Sequence, residues 1–366
     1  MRVIFAGGGT AGHIMPAIAI AEAIQKNFAK PEILFIGRTG GNENRAIQNH
    51  GYKLCTINVK GFNRSSIYKN VDAFFKMINS SRMAKSIIIK FKPDLVIGTG
   101  GYVCYPIVKC AQRMKIPTIL HESNVYPGLV TKLLSKKCSA VLLNSEGTRA
   151  YLPKLNNTFV VGNPIREAFK TLNRDIARRR LGITNNEFFI LSFGGSLGAH
   201  ALNECILEFI NLCSTHTLNI RHIHACGSSH YPAIREKYPN LCQNKGNCRV
   251  VPYIDDMATY MWAADIVISR SGAMTLSELA TAGIPSILIP LPSSAENHQL
   301  INAKYIEGLN GAIVIEEKNL NLSTLMDATN RILHDRMLRN KMRQSIRKFA
   351  PQNTEKRILD IINTII

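Results

Sequence analysis

The chain has 366 residues, 46% of them hydrophobic and 19% charged, with a mean hydropathy of −0.01; that length suits two ordinary globular domains, and no apolar run approaches the ~18 residues that a membrane-spanning helix needs. The apolar start Val3–Ala6 stops at Gly7-Gly8-Gly9, which argues against a secretory leader. Its 45 Lys and Arg outnumber 25 Asp and Glu to give a net charge of +20, of which residues 1–166 carry +16, so the N-terminal half expects an anionic partner: nucleic acid, an acidic membrane surface or a phosphorylated substrate. In chain order, short runs rich in β-branched residues at 3–6, 33–36, 95–98, 118–120, 140–143 and 159–161 predict buried parallel strands, and a second series follows at 188–193, 220–224, 249–251, 266–269, 286–289 and 312–314. Between them, 17–27, 201–213 and 276–282 have helical spacing, so the expected class is α/β with doubly wound sheets. The chain ends on "PQNTEKRILDIINTII" (351–366), a helix breaker followed by an amphipathic helix.

The chain also repeats itself. "RVIFAGGGTAGH" (2–13) opens the first half and "FFILSFGGSLGA" (188–199) opens the second, each reading strand, glycine turn, helix. A Rossmann-like unit used twice places the boundary near residues 162–168. Nine cysteines stand singly with no C-x-x-C pair, a usage that suits a reducing cytoplasm.

The first glycine turn reads G-x-G-x-x-G, whose backbone can approach a phosphate while the next helix offers its N-terminal amides. The dehydrogenase reading also needs an acidic residue at the end of the second strand, and that strand ends "FIGR". NAD is therefore disfavoured; Arg38 leaves NADP open, and a purely structural turn is the plain alternative. His13, in the first helical turn, has a side chain suited to acid–base work near neutrality. Two further glycine turns, "GTGGY" (98–102) and "GGS" (194–196), follow strands in the same manner.

The stretch "SRSGAMTLSELATAGIPSILIPLP" (269–292) is the richest. Its helix start supplies amides for a diphosphate, and Glu278, expected to face a cleft, suits the vicinal hydroxyls of a ribose; the plain alternative is an exposed helical carboxylate. In "AENHQLINA" (295–303), Asn297, His298, Gln299 and Asn302 suit sugar hydroxyls, while "HESN" (121–124) and "GNPIR" (162–166) add Asn124 and the cation Arg166. His222 and His224 share a strand face without a third metal ligand, and no D-x-D is present to hold a metal against a diphosphate. Arg178, Arg179 and Arg180 read as a solvated helix face. Aromatic residues, 7% of the chain, are not interleaved with the basic ones as a nucleic-acid groove requires.

In their order and spacing, "GGTAGH" (8–13), "GGY" (100–102), "HESN", "GNPIR", "GGSLGA" (194–199), "YIDDM" (253–257) and "SRSGAMTLSE" (269–278) resemble the MurG family of glycosyltransferases over residues 1 to about 305. The resemblance implies a GT-B fold, two Rossmann-like domains facing a cleft: residues 1–164 for acceptor and membrane, 165–345 for UDP-GlcNAc, and 346–366 as a helix crossing back to the first. It implies inverting, metal-independent transfer of GlcNAc from UDP-GlcNAc to the 4-hydroxyl of MurNAc in undecaprenyl-diphosphate-MurNAc-pentapeptide, with no cofactor and no nucleic acid. The positions it assigns to UDP-GlcNAc are Thr10, Ala11, Gly12, Asn124, Arg166, Ser196, Ile254, Ala273, Met274, Thr275, Leu276, Ser277, Glu278 and Gln299. Ile254 would meet uracil through its backbone, Glu278 the ribose, Ser196 and the 272–275 helix start the diphosphate, and Gln299 and Asn124 the sugar.

His13 is the candidate general base, with diphosphate binding or stabilisation of a cationic sugar as its other roles. The chain departs from the family at Ala11, where glycine is usual and a positive φ would cost about 1 kcal/mol, and at Ser123, Leu197 and Asn297. From Lys60 to Lys92, eight basic residues and one acid are interleaved with Phe62, Ile67, Tyr68, Phe74, Phe75, Met77, Ile78 and Ile87–Ile89. That composition predicts peripheral binding to the anionic cytoplasmic leaflet of the cell membrane, against the plainer reading of an ordinarily packed basic helix. The rival readings are a UDP-GlcNAc 2-epimerase, which needs no lipid acceptor, and a basic nucleic-acid-binding protein, which leaves Glu278 and "HQLINA" unexplained.

Overall fold

A computed structural model describes residues 1–9, 11–41, 44–59, 70–195, 197–213, 219–243 and 246–366, with side-chain placement for all of these but 11, 70–78 and 213. The chain forms two units, Met1–Pro164 together with Pro351–Ile366, and Ile165–Ala350.

The first unit is built on a parallel sheet of β1 (Arg2–Gly7), β2 (Glu32–Arg38), β3 (Lys53–Ile57), β4 (Leu95–Gly100), β5 (Thr118–Glu122), β6 (Ala140–Leu143) and β7 (Thr158–Val160), in the spatial order β3-β2-β1-β4-β5-β6-β7. The second has β8 (Phe188–Phe193), β9 (Ile220–Ala225), β10 (Cys248–Val251), β11 (Ile266–Ser269), β12 (Ser286–Leu288) and β13 (Ala312–Val314), ordered β10-β9-β8-β11-β12-β13. Both sheets are buried on both faces, which is why their strands read as continuous apolar runs. β3 is the exception. It is an edge strand in which exposed Lys53 and Cys55 alternate with better-covered neighbours, so no apolar run announces it.

In each sheet the strand order reverses once, between β1 and β4 and between β8 and β11. There the loops leaving the carboxyl ends diverge to opposite faces and open a crevice. All the glycine turns picked out above leave these four strands. Position in the sheet therefore explains why glycine is needed there.

Two local features differ from expectation. The first helix runs Ala11–Asn27 and holds Pro16 inside it, so it starts six residues before the predicted 17. Pro16 has no amide for the Gly12 carbonyl, and Gly12 is exposed, where solvent can reach that carbonyl. Ala11 is thus the first residue of a right-handed helix and carries no positive-φ strain. At the other end of the chain, the helix Thr354–Ile365 packs on Ala11–Asn27 and buries Ile358 and Ile362 in the core that holds Phe5 and Ile14. Thr354 Oγ1 anchors it by donating to the Val161 carbonyl at 2.8 Å.

Candidate functional site

In the first unit the loops after β1 and β4 meet backbone to backbone. Gly100 and Gly101 have φ of +106° and +80°; a Cβ at Gly101 would run into the Gly8 carbonyl, and one at Gly100 would lie 2.6 Å from His13 Nδ1. Only glycine permits this approach, and its effect is to seat the His13 ring against the β4 loop. Gly12 is exposed beside it; Thr10 lies outside the described residues. His121, at the end of β5, is 1% exposed and its Nε2 has no hydrogen-bond partner. Burial pushes its pKa down to about 4, a hydrogen bond with the Gly162 backbone opposes that shift, and nearby His13 adds to it.

The next residue, Glu122, is buried and accepts four hydrogen bonds. Its Oε1 takes the Asn124 amide nitrogens of backbone (3.1 Å) and side chain (3.3 Å), and its Oε2 takes Gly128 N (2.9 Å) and Thr131 Oγ1 (2.7 Å). Asn163 of "GNPIR" ties the same loop down, donating to the Ser123 carbonyl at 3.2 Å while its own amide donates to Asn144 Oδ1 at 2.9 Å. The sequence motif points to Asn124 and not to Glu122. The available signal was an acidic residue two positions ahead, which can accept from both amides of the asparagine.

In the second unit, Ser269-Arg270-Ser271-Gly272 leads from β11 into the helix Ala273–Ala282, whose N-cap is Gly272 with no side-chain hydrogen bond. The family-assigned run Ala273, Met274, Thr275, Leu276, Ser277 and Glu278 is thus the start of one helix, with its N–H dipoles directed at the crevice. Ser271 Oγ donates to the Gln299 carbonyl (2.8 Å), Asn302 Nδ2 to the Ser271 carbonyl (3.3 Å), and Leu291 N to Gln299 Oε1 (3.1 Å). These bonds join the loop after β11 to the helix His298–Gly308 and place Gln299 beside the helix start. Arg270 braces the turn from behind, donating to the Ile289 and Pro290 carbonyls and pairing with Glu317.

Glu278 is not the exposed helical carboxylate of the plain alternative. It is 8% exposed rather than open, and Arg166 Nε and Nη2 both donate to its Oε1 at 2.9 Å. Burial raises its pKa, and the Arg166 charge and hydrogen bond oppose the rise. Arg166 also lies over the Phe169 ring at 5.1 Å. Here Arg166 is the partner of Glu278, and its side chain remains 41% exposed. Since both bonds fall on Oε1, Oε2 is left as the acceptor for a ligand. Ile254 is buried, with exposed Tyr253 before it, so its backbone is what it offers. Ser196 lies outside the described residues, and Leu197 is 80% exposed.

Arg178 needs a correction. Read as a solvated cation, it is buried, donating to Ala263 O, Asp265 Oδ2, Thr184 O and Glu187 O. Two of these partners, Ala263 and Asp265, lie 85 and 87 residues away and leave no local pattern. His222 and His224 share a face as expected, both bonded to Ser192 Oγ at 2.7 and 2.8 Å, and burial lowers both pKa values. Among the described residues no group of three or more His, Cys, Asp and Glu is placed to hold a metal ion, and no helix is long and apolar enough to cross a membrane.

Residues 3–143 match the glycosyltransferase family 28 N-terminal domain and residues 189–358 the glycosyltransferase family 28 C-terminal domain. The chain is 39% identical over 366 residues to the UDP-N-acetylglucosamine–N-acetylmuramyl-(pentapeptide) pyrophosphoryl-undecaprenol N-acetylglucosamine transferase of Acetivibrio thermocellus, covering 100% of this chain and 98% of that one. It is 37% identical to the protein of the same name from Caldanaerobacter subterraneus, with both chains covered in full. Among solved structures it is similar to the crystal structure of Acinetobacter baumannii MurG (TM-score 0.79, 26% identity, 99% of each chain covered). A UDP-GlcNAc 2-epimerase from Neisseria meningitidis (TM-score 0.68, 15% identity, 100% of each chain) shares the fold alone.

Proposed function

Since the chain belongs to the UDP-N-acetylglucosamine–N-acetylmuramyl-(pentapeptide) pyrophosphoryl-undecaprenol N-acetylglucosamine transferases of glycosyltransferase family 28, with its GT-B fold, we propose how its own residues carry the reaction. The chain moves GlcNAc from UDP-GlcNAc to the lipid-linked MurNAc-pentapeptide, the step from lipid I to lipid II in peptidoglycan synthesis. The observation that carries our residue-level reading is the buried Glu278–Arg166 pair beside the side-chain-free cap of Ala273–Ala282.

The ribose diol donates to Glu278, and the diphosphate rests on the helix start, where N–H groups and the helix dipole favour negative charge. As the glycosidic bond breaks, charge builds on the β-phosphate, and these preorganised dipoles stabilise it without a bound metal. Ile254 meets the uracil through its backbone, and Gln299 and Asn124 meet the sugar. Thr10, Ala11, Gly12 and Ser196 complete the donor contacts. His13 takes the proton from the 4-hydroxyl as its oxygen attacks the anomeric carbon and UDP leaves from the opposite face, and that single displacement turns the α-linked donor into a β-linked product.

The first unit also holds the lipid acceptor at the cytoplasmic face of the membrane. Exposed Lys85, Lys90, Lys92, Lys136 and Lys137 and the exposed apolar Met83, Ile89, Leu129 and Leu133 support this peripheral docking. Of the patch drawn from the sequence, Lys60, Phe62, Ile67, Tyr68 and Lys69 lie outside the described residues, as do the side chains of Asp72, Phe74, Phe75, Lys76, Met77 and Ile78. The test is incubation of the protein with radiolabelled UDP-GlcNAc and lipid-linked MurNAc-pentapeptide, followed by analysis of the lipid products. Label in a β-linked disaccharide lipid is the expected result; its absence, or free UDP with an epimerised sugar, overturns the reading.

A further inference from the structure

Asn124 meets the sugar in the reading above, but an asparagine amide presents two unlike ends, and something must decide which one faces the ligand. We propose that Glu122 is a positioning residue of the transfer reaction that acts through Asn124, its carboxylate fixing the amide so that the oxygen, not the nitrogen, is turned to the substrate. The inference rests on the proposed sugar-binding role of Asn124.

An ionised carboxylate only accepts, so every group around it must donate. Asn124 Nδ2, 3.3 Å from Glu122 Oε1, is therefore the amide end that faces inward, and Oδ1 lies opposite. The backbone N–H of Asn124 binds the same oxygen at 3.1 Å, which sets the direction from which the side chain leaves. The far oxygen, Oε2, is anchored by Gly128 N and Thr131 Oγ1, so the carboxylate cannot rotate away. The loop backbone has its own supports: Asn163 Nδ2 donates to Ser123 O and Thr148 Oγ1 donates to Asn124 O, each at 3.2 Å. The distinctive contribution of Glu122 is the orientation of one amide, beyond the path of the loop. An amide oxygen turned outward accepts, so the ligand group it selects is a donor, a sugar hydroxyl or an acetamido N–H.

The test is a double-mutant cycle on GlcNAc transfer, with melting temperature and UDP affinity measured on every variant. Glu122→Met removes the acceptor without a charge, and kcat/KM should fall about 30-fold, the size of a charge-assisted hydrogen bond. In an Asn124→Ala background the same substitution should cost less than about threefold, because the group it acts on is already gone. Glu122→Gln keeps one acceptor for Asn124 and should recover most of the loss. Asn124→Asp sets two acceptors against each other and should be worse than Asn124→Ala. UDP affinity, held by the second unit, should not move. Equal losses from Glu122→Met in both backgrounds, or an Asn124→Asp variant more active than Asn124→Ala, would overturn the proposal. Should Glu122→Met melt early, Glu122→Gln and Asn124→Asp still decide it. A wild-type chain that transfers no GlcNAc would instead bring down the function reading beneath.

Discussion

The two units start from the same plan, strand, glycine loop, helix, yet they use charge in opposite ways. In the second, cations are turned inward. Arg174 and Arg343 both reach Asp265 Oδ1 (2.6 and 3.4 Å), Arg178 takes Oδ2 (3.1 Å), Arg221 pairs with Glu187, Arg270 with Glu317 and Arg166 with Glu278. Arg343 is crowded enough that burial and neighbouring Arg174 bring its pKa down to about 10, against the pull of Asp265. In the first, Lys26, Lys30, Lys53, Arg82, Lys85, Lys90, Lys92, Arg113, Lys115, Lys136 and Lys137 are exposed. Its buried charge is instead the carboxylate of Glu122, held by neutral donors. The exposed lysines and arginines of the first unit therefore give its surface a field that favours an anionic partner, while the inward-turned arginines of the second unit serve its architecture.

The contrast can be broken in five ways, the largest effect first. If the first unit supplies the proton acceptor, His13→Ala should lower kcat by about 10²–10⁴ with UDP affinity intact; a loss confined to KM would make His13 a binding group. If Asp265 neutralises three arginines, Asp265→Asn should cost the second unit about 3–5 kcal/mol, the toll of leaving buried charge unpaired. Urea unfolding followed by hydrogen exchange in both units should then place the loss in the second, and a change below 1 kcal/mol would show that the arginines find other partners.

Glu278→Ala should weaken UDP binding by about 2–3 kcal/mol in calorimetry. Because Glu278 is buried against Arg166, Glu278→Gln, which keeps its shape, separates loss of the charge from loss of packing.

The fourth concerns acid. His121 in the first unit and His224 in the second are both buried with pKa values of about 4, and that of His222 is also lowered. These folded values lie below the ordinary 6.5, so between them the unfolded chain binds more protons, and stability is full above pH 6.5 and falls toward pH 4. From pH 7 to 5 His121 and His224 each cost about 2 kcal/mol. The second unit, with two, should open first, and His224→Asn should flatten its pH dependence. Equal acid sensitivity in the two units would show that the paired histidines relax. The smallest effect is at the surface. Lys85→Glu and Lys90→Glu should weaken co-sedimentation with anionic vesicles by about 1 kcal/mol per charge removed, and salt should do the same. Binding that ignores lipid charge would leave the basic excess to the acceptor diphosphate alone.

The sequence by itself determined the class and the repeat. A strand buried on both faces must be apolar throughout, so β1, β4, β8 and β11 are legible as runs such as Val3–Ala6 and Ile266–Ser269, and the glycines that follow declare a close backbone approach. Such signals are local, and a few adjacent residues carry them whole. Tertiary structure alone decided three other matters. It made an edge strand of "KLCTI", whose pairing with β2 is a long-range event. It buried Arg178 through Asp265, 87 residues away, and made Glu278 the partner of Arg166, 112 residues away. Coulombic and hydrogen-bond partners are chosen by distance in space, and separation along the chain carries no periodicity from which to read them.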